Sequence, residues 1–284
     1  MNELYAIDPL APKDIKDIKA LFGKFGMANG RFIANFPKYW VSELLLYWDQ
    51  FGQIERNKIV TLIQNNRDAF LNVDADYKKI KNWSENAAAL KSLVGKISGV
   101  LASNPNSLNL PTLESYLWDG VDSNDGSRGG HIPMTVDAYL WATRPLLELS
   151  SEVHLTDSFF QLRDQFGNLD RRKCDFLSGL ISLANQFERC EMIKIHFKRQ
   201  FEIKEEVQEE RCARDLATVL DRAGAIRCKF QFDLHEKMTH GRYIFSIKGG
   251  LQFDHGFAFN SGEKNHIHWL AKSELLPIQL KFGL

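Results

Sequence analysis

Three of the eight histidines in this 284-residue chain, His235, His240 and His255, fall between Asp233 and Asn260. The same stretch holds Arg242, Lys248, a glycine pair at 249 and 250, and two short runs that alternate like strands. An imidazole beside a guanidinium suits a phosphodiester. The guanidinium clamps two phosphoryl oxygens with parallel N–H bonds, and the imidazole can give, take or replace a proton donor at the same group. His240 and Arg242 are two residues apart. On a strand that spacing puts both side chains on one face, about 6–7 Å apart. His235 and Lys248 flank the pair and would add further phosphate contacts. The competing reading makes His240 and Arg242 a structural pair that satisfies buried carboxylates or carbonyls.

These residues need a scaffold. Glu152–Phe160, Glu191–Phe197 and Ile226–Phe232 alternate as strands, and helical spacings at Arg172–Asn185 and Lys204–Ala223 separate them. Strand, helix, strand, helix, strand implies a largely parallel sheet. Arg242–Ile247 and Gly256–Phe259 follow without helices and read as a hairpin through the turn at 248–250, so the sheet becomes mixed. Asp157, Asp233 and His196 then fall at the carboxyl edge, where open sheets bind ligands. Val136–Leu149 reads as a helix ahead of the first strand.

Residues 1 to about 103 read as almost wholly helical, with amphipathic segments near 15–22, 40–51, 54–71 and 87–101. Between the first two lies GRFIANFPKYW. Its Arg31 and Lys38 could meet phosphate while an aromatic stacks on a base. The same residues equally make a packing corner with Phe36 and Trp40 in the core. The stretch DGVDSNDGSRGGHIP matches neither GxxxxGK[ST] nor GxGxxG and reads as a linker. The expected organisation is an all-helical N-terminal domain at 1–118, a linker at 119–133 and an α/β domain at 134–284. The fold class is α/β.

Thirty-six basic residues balance thirty-six acidic ones, so bulk charge points to neither nucleic acid nor membrane. The four cysteines form no C-x-x-C pair, which argues against a zinc site, and no metal or cofactor is expected. The N-terminus lacks a signal-peptide pattern, and no apolar run approaches the ~20 residues of a membrane span. The expectation is a cytoplasmic protein with no transmembrane segment.

The order from about 142 to 260 resembles the phospholipase D-like superfamily. It is most similar to the degenerate version at the C-terminus of MIT-domain-containing proteins, which bind membranes during cell division. The residues that carry the resemblance are LTDSFF, then His240, Gly241, Arg242, Tyr243 and Ile244, then Gly249, Gly250, Leu251, Gln252 and Phe253. It covers roughly the last half of the chain. Active members use His-x-Lys-x4-Asp, in which histidine attacks phosphorus, lysine holds its oxygens and aspartate orients the partner histidine. Here Arg242 stands at the lysine position and Ile247 at the aspartate position. The resemblance therefore implies a non-catalytic or weakly catalytic module that binds nucleic acid or a partner subunit, as in multi-protein bacterial antiviral defence systems. It leaves open an active phosphodiesterase or nuclease that pairs His240 and Arg242 with those of a second copy in a homodimer. Binding to membrane lipid is a third reading.

Overall fold

The computed structural model describes residues 2–284 except 79–80, 94–96, 105–107, 119–128, 165, 225–226, 239 and 261. The chain is α/β and divides into two compact units, Asn2–Ser127 and Arg128–Leu284. Among the described residues no helix is long and apolar enough to cross a membrane.

The N-terminal unit is not all-helical. It contains four strands, β1 (Glu3–Ile7), β2 (Arg31–Asn35), β3 (Phe70–Asn72) and β4 (Ile97–Leu101), in a sheet of order β3-β2-β1-β4. Every pairing is parallel, with Leu4 opposite Phe32 and Ile33 opposite Phe70. The strands are three to five residues long and largely buried, so they lack the alternation that marks a half-exposed strand. The helices α1 (Ile15–Lys24), α2 (Trp40–Trp48), α3 (Gln53–Asn65) and α4 (Trp83–Leu93) overlap the segments of helical spacing, and α5 (Leu113–Trp118) follows β4. The expected helices at 54–71 and 87–101 run too far: α3 ends at Asn65 and α4 at Leu93, and the last residues of both segments are β3 and β4. Asp14 caps α1 by accepting from the N–H groups of Lys16 and Asp17. Ile7, Ile18, Trp40, Leu44, Ile59 and Leu101 share one core.

In the C-terminal unit the strands are β5 (Gly129–Pro133), β6 (Glu152–Thr156), β7 (Met192–Lys198), β8 (Lys229–His235), β9 (Tyr243–Phe245), β10 (Gly250–Phe253) and β11 (Lys264–Trp269). They form one mixed sheet of order β5-β11-β10-β9-β6-β7-β8. β6, β7 and β8 are parallel, joined through α7 (Arg171–Ala184) and α8 (Glu205–Ala223). The remaining pairings are antiparallel. α6 (Val136–Leu149) precedes β6, and α9 (Lys272–Phe282) closes the chain.

Several boundaries in the C-terminal unit differ from the sequence reading: β6 stops at Thr156 rather than Phe160, and β9 is only Tyr243–Phe245. Gly129–Pro133 is an edge strand paired with β11 rather than linker, and 119–128 lie outside the described residues. β8 runs from Lys229 to His235, so His235 ends a strand (Ile226 lies outside the described residues). The second strand of the hairpin is Gly250–Phe253, and Gly256–Phe259 is turn and coil. Alternation located β8 without fixing where it ends and missed β5 and β10, because pairing and register depend on the partner strand.

Register divides the sheet into two faces. Val153, Leu155, Ile193, Ile195, Ile244, Leu251, Phe253 and Ile267 are buried on one, where Tyr139 of α6 packs against Phe253 at 5.4 Å. His154, His196, Tyr243 and Phe245 lie on the other, where Phe282 of α9 packs against His196 at 4.4 Å and Phe245 at 5.7 Å.

The N-terminal unit offers a direct test of its core. Trp40 is fully buried, and its indole N–H donates to the Ile7 carbonyl at 2.6 Å. Trp40→Phe keeps an aromatic body but leaves that carbonyl without its donor. We expect a loss of about 1–3 kcal/mol, read as a lower urea midpoint. An unchanged midpoint would show that this bond contributes nothing to the unit.

Candidate functional site

The carboxyl edge of β6 is organised by Asp157, which is 4% exposed. Its Oδ1 accepts from the Phe159 N–H at 2.8 Å and its Oδ2 from the Phe257 N–H at 3.3 Å. Arg242 Nε stands 3.8 Å from Oδ1. The guanidinium also donates through Nη1 to the Asp254 carbonyl and sits 5.4 Å from the centre of the Phe159 ring. The His240 ring stacks against that same phenyl group at 6.3 Å and 27°. Phe159 is 61% exposed, so an uncovered aromatic has a guanidinium and an imidazole as its immediate neighbours.

A close turn makes this possible. Gly256 has φ 62°, and a Cβ there would lie 2.3 Å from Asp157 Oδ2 and 2.5 Å from Arg242 Cδ. Only glycine permits both that conformation and that approach. The turn is pinned from behind by Asn265, which is fully buried. Its Nδ2 donates to the Tyr139 hydroxyl at 2.7 Å and to the Gly256 carbonyl at 2.9 Å, and its Oδ1 accepts from the His255 N–H at 3.0 Å. The Tyr139 hydroxyl donates to the Ala258 carbonyl at 3.0 Å. Burial pushes the Tyr139 pKa up, against the opposing pull of the Asn265 bond, which keeps the hydroxyl a donor.

His240 and Arg242 therefore do not share a face by strand alternation, as the spacing implied. Both precede β9 and come together at Phe159. Among the described residues His240 makes no hydrogen bond, so nothing orients it as a nucleophile. Ile247 is 65% exposed in the turn after β9, and no carboxylate takes the place of the aspartate that the phospholipase D-like pattern has there.

A second polar group lies on the α9 face. Glu152 Oε1, His154, His196 and His235 form a continuous hydrogen-bonded row, with contacts of 2.9, 2.8 and 2.8 Å. Parallel register creates it, since His154 and His196 are diagonal neighbours across β6 and β7, and His196 and His235 across β7 and β8. An ionised Glu152 accepts from His154 Nε2–H, which leaves His154 Nδ1 to accept from His196 Nε2–H and His196 Nδ1 to accept from His235 Nε2–H. Every bond is satisfied with all three rings neutral. Burial, then the neighbouring His154 and His235, push the His196 pKa down to about 3. Burial likewise lowers His154 and His235. Lys194 pairs with Asp233 at 2.7 Å beside this row.

The remaining sequence candidates do not join the platform. His235 and His196 belong to the histidine row, His196 buried and His235 half-buried. Lys248 is exposed in the turn beyond β9, at the opposite end of that strand from His240. Arg31 and Lys38 lie in the N-terminal unit at opposite ends of β2, and Arg31 Nε is ion-paired with Glu3 at 2.8 Å. His154, Lys194, Tyr139 and Asn265 were not singled out from sequence. The alternation Glu152, His154, Thr156 in EVHLT carried a signal for the row, and nothing local marked Tyr139 or Asn265.

Among the described residues two side-chain groups have metal-ligand character, His196–Asp233–His235 and Asp254–His266–His268. In the first, both His196 nitrogens and His235 Nε2 are engaged in the row, and the Lys194 ammonium already neutralises Asp233.

The histidine row makes stability depend on pH. Unfolded imidazole titrates near ~6.5, whereas the folded chain holds His196 neutral down to about 3. Between those values the unfolded chain binds a proton that the fold refuses. Stability is therefore complete above about pH 6.5 and falls as pH drops toward 3, by about 1.4 kcal/mol per pH unit for this one group. His196→Gln should flatten the dependence of the urea midpoint across that window. An equally steep dependence in the variant would place the effect elsewhere.

No family model matches this chain, and no curated protein matches it. Among solved structures, a match is found to TrmBL2, an archaeal chromatin protein whose structure is described as showing a novel mode of DNA binding. The TM-score is 0.27 at 10% identity, over 87% of this chain and 80% of that one, a likeness too weak to carry an argument about fold or function.

Proposed function

We propose that the C-terminal unit is a non-catalytic phospholipase D-like module that binds single-stranded nucleic acid at the Phe159–His240–Arg242 platform. The observation that carries this reading is the exposure of Phe159 at the carboxyl edge, between a cationic and an imidazole neighbour. An uncovered phenyl ring accepts any base as a stacking partner, and the adjacent guanidinium suits the phosphate that follows it. The order β6, α7, β7, α8, β8 and then strands without helices supports the phospholipase D-like assignment. So does the fall of the Gly249–Phe253 segment on the turn and strand after His240 and Arg242.

Magnitudes identify the residue to test. Removing Arg242 would leave the buried Asp157 carboxylate with its two backbone donors and no counter-charge, at a cost of up to about 3–5 kcal/mol. One charge-assisted bond to a phosphate is worth about 1.5–3 kcal/mol. Arg242 is thus a structural residue first and a phosphate contact second, and its loss would confound folding with binding. Phe159 is exposed and can be changed without that penalty.

Fluorescence anisotropy with a labelled single-stranded oligonucleotide tests the proposal. We expect binding that weakens as salt rises, no cleavage, and a loss of about tenfold in Phe159→Ala, matching one lost base stack. Absence of binding, or equal binding by Phe159→Ala, would overturn it. Cleavage abolished by His240→Ala would replace it with the phosphodiesterase reading.

A further inference from the structure

The antiparallel end of the C-terminal sheet carries a histidine cluster that the platform does not use. His266 and His268 are two apart on β11 and so share a face. β5 pairs alongside, with His131 opposite His266 and Gly129 opposite His268. Asp254 follows β10 directly. Its N–H donates to the His266 carbonyl at 3.1 Å, which brings its carboxylate Oδ2 to 3.2 Å from His266 Nδ1. One ligand-type atom from each of Asp254, His266 and His268 lies within 4.8 Å of the others. The His131 ring centre is 5.0 Å from that of His266.

We propose that Asp254, His266 and His268 bind a divalent transition-metal ion of the zinc, cobalt or nickel class, with His131 or a water at a fourth position. Two imidazoles and one carboxylate match borderline ions, whereas calcium and magnesium take oxygen shells. Tetrahedral coordination with bonds of ~2.0–2.1 Å sets ligand atoms about 3.3 Å apart. The Asp254–His266 pair already stands at that separation, and the half-exposed His268 closes on it by side-chain rotation. Gly129 keeps the site open: a Cβ there would meet His268 Cβ at 2.7 Å and His266 Nε2 at 3.1 Å. Electrostatics separate this cluster from His196–Asp233–His235. Among the described residues no lysine or arginine pairs with the Asp254 carboxylate, so its charge is free for a cation.

The test uses the full chain, stripped with a chelator. Zn²⁺ is titrated by calorimetry in a non-coordinating buffer, and Co²⁺ is followed by its visible absorption. We expect one ion per chain with micromolar affinity or tighter, a tetrahedral-type cobalt spectrum, and no comparable uptake of Mg²⁺. His266→Ala and His268→Ala should each weaken binding by about tenfold or more while the circular dichroism stays native. Failure of the unmodified chain to take up Zn²⁺ or Co²⁺ overturns the proposal, as does undiminished binding in the double variant. Neither result bears on nucleic-acid binding at Phe159.

Discussion

A carboxylate buried at the end of a strand must be paired, and Asp157 is that carboxylate. Left alone it would cost several kcal/mol, so the chain supplies two backbone N–H groups and a guanidinium. Each partner has a structural consequence. The Phe159 N–H turns the chain tightly after β6 and leaves the phenyl ring outside. The Phe257 N–H requires the neighbouring turn to come close, which only Gly256 allows. The guanidinium fixes Arg242 beside the ring. The platform is thus a product of satisfying one buried charge, and the Tyr139–Asn265 network keeps the turn in place while it does so.

The two faces of the same sheet solve opposite problems. One is apolar and packs against α6 as an ordinary core. The other buries His154 and His196 and half-buries His235 beneath α9, where charged rings would be unstable. The row resolves this by directing each proton toward Glu152, so that neutral rings satisfy one another. The result is a sheet that holds its carboxyl edge firmly at neutral pH and loses stability on acidification. Catalysis has less support from this geometry than binding does, because His240 lacks an orienting partner and Ile247 is not an acid.

Legibility from sequence followed how locally each feature is encoded. The boundaries of α6 were readable because helical spacing is local. The parallel strands of the N-terminal unit were not, since ELYAI, RFIAN, FLN and ISGVL are short and largely buried. The histidine, arginine and aspartate of the carboxyl edge were identifiable by residue type. Their meeting at Phe159 was not, because it depends on the turn at Gly256 rather than on strand alternation. Diagonal register across three strands was likewise invisible, so His196 and His235 read as edge ligands rather than as members of one hydrogen-bonded row. The cluster of Asp254, His266 and His268 was not legible either, because antiparallel register and the turn after β10, rather than spacing in the chain, bring these side chains together.

In the proposed function the exposed Phe159 ring and its two neighbours receive a nucleic-acid base. Photo-crosslinking a single-stranded oligonucleotide carrying a halogenated pyrimidine to the full chain, followed by peptide mapping, reads that contact residue by residue. Crosslinks are expected at Phe159 or at His240 beside it. Crosslinks confined to the N-terminal unit, or none at concentrations that saturate a micromolar site, would contradict it.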